Sequence, residues 1–257
     1  MIEIYNLWKR YDDNVVLEQI NASVDEGEFV TLVGTSGCGK STFLKLLLGT
    51  EQQSQGELLL DKKPIPDEPD QQRGIVFQQY SVFPHLSVLK NVMAARAFER
   101  GRVSALLFGP ALRRAREEAE AMLESVGLGH VLQHYPHELS GGMRQRLAIA
   151  QALILKPRIL LLDEPFGALD PGIRADMHSL VLDLWQKHRL TIFMVTHDLK
   201  EGFYLGTRLW VFDKVRIDPQ AANAYGATIT YDIPVGNKDK NIYEEIDETL
   251  RPVKTTE

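Results

Sequence analysis

The sequence predicts an α/β fold built on a mostly parallel sheet that is covered on both faces. Short apolar runs have the length and composition of buried strands: FVTLV (29–33), GIVFQ (74–78), RILLL (158–162) and TIFMVT (191–196). Segments of helical period separate them, and alternation of this kind is the mark of parallel sheets. FVTLV also runs straight into a Gly-rich stretch and then STFLKLLLG, an order of strand, loop and helix.

Residues 1–28 mix strand-like alternation (Ile2, Ile4) with a turn at Asp12, Asp13 and Asn14. After the first helix, Gln55-Gly56 and LLLD suggest a turn and a strand, and Pro64, Pro66 and Pro69 a loop. From Leu86 to Leu155 the pattern is helical. Leu112, Ala115, Ala119, Met122 and Val126 form one apolar stripe, and the Arg113–Glu117 and Arg114–Glu118 spacings mark a solvated face. Met177, Leu180, Leu184 and His188 keep helical spacing between the last two strands, with His188 at the stripe edge. Beyond Asp213, ATITYDIP alternates Ile229, Tyr231 and Ile233, Asn237–Lys240 reads as a polar turn, Asn241 as the cap of a short helix, and RPVKTTE as a frayed end.

Composition narrows the function classes. The chain has 257 residues, 44% of them hydrophobic and 25% charged, which excludes a disordered, collagen-like or disulfide-stapled chain. Lys+Arg number 29 against 35 Asp+Glu, a net charge of −6, so a global basic footprint for nucleic acid is missing. One cysteine forms no internal disulfide and suits a reducing compartment. The start, MIEIYNLWKR, lacks the apolar stretch of a signal peptide, and no apolar run approaches the ~18 residues of a membrane span. The expectation is a soluble, cytosolic chain that docks on something else.

GTSGCGKS, Gly34 to Ser41, fits G-x-x-x-x-G-K-[ST] in the strand–helix context which that motif requires. Gly34, Gly37 and Gly39 let the backbone turn so that the amides of Thr35, Ser36 and Cys38 line an anion nest, and Ser41 and Thr42 open a helix with its positive end toward it. Lys40 adds a full charge for β/γ-phosphates, and the Ser41 hydroxyl is a suitable oxygen for Mg²⁺. Cys38 is a small loop residue, or a redox-sensing thiol if its basic surroundings lower its pKa. Asp163 and Glu164 follow RILLL directly, at the strand end where ligands of open α/β sheets sit. Asp163 is placed to hold Mg²⁺ and Glu164 to polarise an attacking water. Gln78 after VF and His197 after VT stand at strand ends in the same manner, suited to metal and water and to the transferring phosphate.

The segment LSGGMRQR, Leu139 to Arg146, completes a set in which the sequence resembles the nucleotide-binding subunits of ABC transporters. The resemblance covers roughly residues 1–213. It rests on Tyr11, GTSGCGKS, Gln78, LSGGM, RILLLDE, the Ala168–Asp170 loop and His197, all in the family's order. It implies a P-loop NTPase (RecA-like) core, an N-terminal antiparallel β subdomain and an inserted α-helical signature subdomain at about 86–155, with 214–257 an extension of open role. It further implies ATP and Mg²⁺ as cofactors, adenine stacked on Tyr11, and Ser140, Gly141, Gly142 and Asp170 as nucleotide-facing residues. Each ATP would lie between the phosphate loop of one subunit and the signature of a second, so one copy per chain implies a dimer, most simply of two identical chains. Transmembrane permease subunits are the implied partners, with an extracytoplasmic solute-binding protein served indirectly. The implied location is peripheral, on the cytoplasmic face of the inner (plasma) membrane. The segment after Gln78, QYSVFPHL, resembles the docking groove, with Phe83 and Leu86 either apolar contacts or core.

Met143 stands where the family usually has glutamine, and LSGGM with EPFGALD resembles importers of nitrate, sulfonate and taurine-like solutes. The stretch Phe98–Pro110 is longer than in relatives, and the tail is distantly similar to importers associated with urea or guanidine use. Competing readings are a soluble ABC ATPase acting on nucleic acid or ribosomes, and an ATP clamp that does not hydrolyse. One cassette, no long heptad run and an acidic balance argue against the first, and intact Glu164 and His197 against the second. His130, His134 and His137 lack the cysteine or acid pair of a metal site, and Asn237-Lys238-Asp239 places its acid one position early for guanine recognition.

Overall fold

The structure, a computed structural model, describes residues 1–78, 82–99, 110–216, 218, 220, 221 and 223–235. Most of Phe98–Pro110, the first residues of QYSVFPHL, the Asn237–Lys240 turn, the helix expected from Asn241 and the RPVKTTE end lie outside the described residues. The chain divides into two compact units, Met1–Glu68 with Thr191–Glu257, and Pro69–Leu190.

In the first unit β1 (Ile2–Tyr11) and β2 (Asn14–Val24) form an antiparallel hairpin that turns at Asp12 and Asp13. Alternation buries Ile2 and Ile4, and the register irregularity between Ile4 and Leu7, with Asn6 at φ 45°, buries Leu7 as well. β3 (Phe29–Gly34) is buried at every position, as a parallel strand covered on both faces should be. It feeds α1 (Lys40–Leu48), whose Phe43, Leu44, Leu46 and Leu47 are buried. Gly49 ends that helix in the left-handed conformation, with its N–H on Lys45 and Leu46 carbonyls. β4 (Gln55–Leu60) pairs antiparallel with β1, and the short β5 (Lys63–Pro64) with β4.

The second unit opens with β6 (Arg73–Val76). The helices α2 (Val88–Glu99), α3 (Pro110–Ser125) and α4 (Gly141–Leu153) follow, then β7 (Ile159–Asp163) and α5 (Pro171–His188). β6 and β7 are parallel, with Arg73 opposite Ile159 and Val76 opposite Leu162. Asn91, fully buried on α2, donates to the carbonyls of Phe83, Leu86 and Ser87 and accepts from Phe83 N at 2.7 Å. These bonds fix the entry into α2 and leave Phe83 and Leu86 half-buried. Of the expected stripe, Ala119 on α3 and Val126 just beyond it are buried and Leu112, Ala115 and Met122 half-buried, with Leu123, outside that stripe, also buried, while Arg116 and Glu120 pair at 2.7 Å on the solvated side.

The chain returns to the first unit with β8 (Thr191–Val195), α6 (Leu199–Leu205), β9 (Arg208–Asp213) and β10 (Thr228–Pro234). β3 lies between β8 and β9, parallel to both, and β10 adds an antiparallel edge to β9. Phe43 of α1 packs 6.3 Å from Phe193, 6.0 Å from Trp210 and 5.5 Å from Phe212, ring centre to ring centre, so the helix that follows the Gly-rich loop is seated on aromatic rings from β8 and β9. The expected architecture is thus present: an α/β fold with parallel strands, an antiparallel N-terminal sheet, and helices between β6 and β7.

Candidate functional site

In the first unit the Gly-rich loop spans the interval from β3 to α1. Gly34 lies against the carbonyl oxygen of Phe212, where a Cβ would collide with the backbone. Gly37 has open space around it but a φ of 81°, which a side chain would strain. Lys40, the first residue of α1, is buried, and its ammonium donates to the carbonyls of Gly34 (2.7 Å) and Thr35 (2.9 Å) and lies 3.6 Å from Cys38 Sγ. The lysine charge is therefore folded into the concavity formed by the loop and the helix start, where the amides and the helix dipole favour an anion. Ser41 and Thr42 follow in the first turn, with Thr35, Ser36 and Gly37 exposed at the rim.

Cys38 is buried, and burial pushes its thiol above the ordinary range although Lys40 pulls the other way. This favours the small-loop-residue reading over the redox-sensing one.

Tyr11, at the end of β1, is 39% exposed, enough to offer a ring. Lys9 Nζ stands 4.6 Å from the ring centre and pairs with Glu51 at 2.8 Å. Burial first and then Glu51 push the tyrosine hydroxyl up, while a hydrogen bond with Thr42 opposes them. Lys9 in turn holds the Glu51 carboxyl below the usual carboxylate range. Lys9 and Glu51 extend the set of residues around Tyr11 beyond those the motifs mark. Lys9 shares a strand face with Tyr11 at i,i+2, a usable signal, whereas nothing local points to Glu51.

His197 is exposed on the turn after β8. Thr196 N donates to Leu32 O at 3.1 Å, and Asp198 caps α6 by accepting from Lys200 N and Glu201 N. The turn carrying the imidazole is thereby anchored on both sides.

In the second unit Asp163 ends β7 and Glu164 follows with a φ of 46°, a left-handed conformation uncommon for a residue with a side chain. The turn re-aims the Glu164 carboxylate, and Gln78, two residues past the end of β6, donates from Nε2 to Glu164 Oε2 at 3.4 Å. Ser140 caps α4 and accepts from Met143 N at 3.3 Å, so its hydroxyl stands at the helix start beside Gly141. Gly142 is buried against Ile173 Cγ2, 2.5 Å from where a Cβ would lie. Asp170, exposed, stands at the cap position of α5. The sequence-selected residues divide between the units: Tyr11, Gly34–Thr42 and His197 belong to the first, and Gln78, Asp163, Glu164, Ser140–Gly142 and Asp170 to the second, with Tyr11 meeting Thr42 and Gln78 meeting Glu164. No group of three or more His, Cys, Asp or Glu suited to a metal occurs among the described residues, the three histidines at 130–137 included.

The family model described as ABC transporter matches residues 17–167. The aliphatic sulfonates import ATP-binding protein SsuB of Bacillus subtilis (strain 168) is 41% identical over 196 residues, 76% of this chain and 72% of that protein. The dimeric post-hydrolysis structure of the ATP-binding cassette MJ0796, bound to ADP and Pi, superposes with a TM-score of 0.72 at 27% identity, over 91% of this chain and 99% of that one. The structure of cbiO1 from Clostridium perfringens, part of the ABC transporter complex cbiONQ, gives a TM-score of 0.76 at 25% identity, over 96% and 92%. The chain belongs to the ABC transporter family, with the fold of its ATP-binding cassettes.

Proposed function

We propose that the chain is the ATP-binding and ATP-hydrolysing subunit that powers an ABC importer for a small solute. The similarity to a sulfonate-import subunit, together with LSGGM and EPFGALD, favours a nitrate, sulfonate or taurine-like solute, with the tail's distant likeness to urea- or guanidine-associated importers the lesser pointer. The observation that carries the reading is the buried Lys40 ammonium gathered into a Gly-rich loop at the start of α1, a built site for phosphates.

Tyr11 stacks on the adenine. The amides of Gly34–Thr42 and Lys40 hold the phosphates. Ser41, Gln78 and Asp163 offer a hydroxyl, an amide oxygen and a carboxylate, a hard-oxygen set that fits Mg²⁺. When bound, the ion supplies neutralisation of charge on the β- and γ-phosphates. Glu164 accepts a proton from the attacking water as its oxygen bonds to the γ-phosphorus and the bond to the ADP oxygen breaks. His197 donates a hydrogen bond to the departing γ-phosphate. Most of the rate comes from positioning and fixed charge.

Ser140, Gly141 and Gly142 face the ATP of a second, identical chain, so two nucleotides join two subunits head to tail and hydrolysis releases them. The dimeric state of the cassette structure with ADP and Pi supports this arrangement. The motion passes to transmembrane permease subunits, and through them serves a solute-binding protein outside. The chain sits peripherally on the cytoplasmic face of the inner (plasma) membrane. In keeping with this, no helix among the described residues is long and apolar enough to cross a membrane.

Glu164→Gln tests the reading. The amide keeps shape and ATP binding but accepts no proton. The expected result is normal ATP affinity with phosphate release reduced by about 10²-fold or more, the usual worth of a general base. Phosphate release at the unaltered rate would overturn the role of Glu164.

A further inference from the structure

The connection between β9 and β10 is longer than their pairing requires. Asp213 and Thr228 are register partners, so a turn of about two residues would close this hairpin. The sequence instead places residues 214–227 between them, and of these Asn223 and Ala227 bond to β2. Val15 N donates to Asn223 O at 2.9 Å, Glu18 N to Ala227 O at 3.0 Å and Ala227 N to Val16 O at 2.9 Å, with Leu17 bridging Ala227. At Gly226 a Cβ would stand 2.9 Å from the Leu17 backbone, so glycine permits this approach. Arg216 secures the other end. It meets Glu18 at 3.0 and 3.2 Å and lies 4.2 Å over the Tyr225 ring. The Glu18 side chain is 6% exposed, so the ion pair with Arg216 stands where water would otherwise solvate it.

The stretch of β2 held in this way touches the phosphate loop. A Cβ on Gly39 would lie 2.8 Å from Leu17 Cδ2 and 2.9 Å from Val16 Cγ1. Gly39 caps α1 in the left-handed conformation, immediately before Lys40. The opposite end of the loop, Gly34, rests on Phe212 of β9. Both ends of the loop therefore bear on strands that the 214–227 connection ties together.

We infer that Arg216 and residues 223–227, in the connection between β9 and β10, form a positioning strap that holds the phosphate loop in its nucleotide-binding shape, with Arg216 and Gly226 as its fastenings. The inference deepens the proposed nucleotide-binding role and rests on it. The bonds of the strap go to the loop's supports, so its loss lowers the fraction of molecules ready to bind, and no part in the chemical step is assigned to it.

The test uses the full chain and four changes: Arg216→Ala, Arg216→Lys, Gly226→Val, and replacement of 214–227 by Asn-Gly. ATP affinity is read by calorimetry, turnover by phosphate release, and amide exchange over 34–42 by mass spectrometry. If the competent fraction falls to between a third and a tenth, Kd for ATP rises roughly threefold to tenfold. That rise is expected for Arg216→Ala and Gly226→Val, with faster exchange in the loop, unchanged kcat at saturating ATP, and partial recovery in Arg216→Lys. The Asn-Gly replacement should show the largest rise, and if it does not fold the point variants decide. Unaltered Kd and exchange in both point variants, or a fall in kcat at constant Kd, would overturn the strap. If the unaltered chain itself does not bind ATP, the nucleotide-binding reading fails instead.

Discussion

Gln78 Nε2 and Glu164 Oε2 are joined by a hydrogen bond of 3.4 Å that links the segment after β6 to the segment after β7. The two residues are far apart in sequence, and the parallel pairing of Val76 with Leu162 brings their strand ends level. The amide restrains the carboxylate assigned to accept the water's proton. Gln78→Ala should therefore lower kcat about tenfold, within the range lost when a catalytic base is misplaced, and leave ATP affinity nearly unchanged. Gln78→Glu sets a like charge beside Glu164 and should lower it further. Parallel measurements of phosphate release and ATP binding check both.

The buried thiol of Cys38 gives a pH prediction. Burial disfavours the thiolate, so the folded-state pKa lies above the ordinary thiol value and the reactive form is scarce near neutrality. Alkylation by iodoacetamide should be slower than for a free thiol at pH 7–8 and should accelerate only above the pH at which ordinary thiols react, a rate–pH profile that mass spectrometry can follow. Rapid labelling at neutral pH would instead mean that Lys40 outweighs burial.

Gly142 and Ile173 form a steric pair. An alanine Cβ at 142 would lie 2.5 Å from Ile173 Cγ2, while alanine in α4 gains up to about 1 kcal/mol of helix propensity over glycine. The clash should win, so Gly142→Ala should destabilise the fold by about 1–2 kcal/mol, as overpacking does. In an Ile173→Ala background the same change should be neutral or stabilising. Urea unfolding of the single and double variants measures the coupling.

The parts of the molecule readable from sequence are those with local causes. The Gly-rich loop, the strand ends carrying Asp163 and Glu164, and the helix start at Ser140 depend on neighbours within a few residues, and each stands where its pattern indicates. Resemblance supplied the antiparallel character of residues 1–24, which alternation alone leaves open. Less readable are contacts between distant segments. The Arg208 guanidinium donates to both Asp232 oxygens at 2.6 Å and to Ser23 O at 2.6 Å, a junction of β9, β10 and β2 with no periodic signature. Glu51 beside Tyr11 and the bonds of Asn223 and Ala227 to β2 belong to the same class. Cys38 is a third case: its basic sequence neighbours leave an activated thiol open beside the small-loop-residue reading, and burial by the tertiary fold decides for the latter.

Completion of each ATP site by two chains is tested most directly by mixing two inactive variants. Lys40→Ala removes the phosphate charge from one half of a pocket, and Ser140→Ala removes the signature hydroxyl from the other. In a head-to-tail dimer of one Lys40→Ala chain with one Ser140→Ala chain, both lesions fall in the same pocket and the second pocket is intact. The prediction is phosphate release on mixing that neither variant gives alone. Mixtures that never exceed the sum of their parts, with Ser140→Ala alone as active as the unaltered chain, would contradict it.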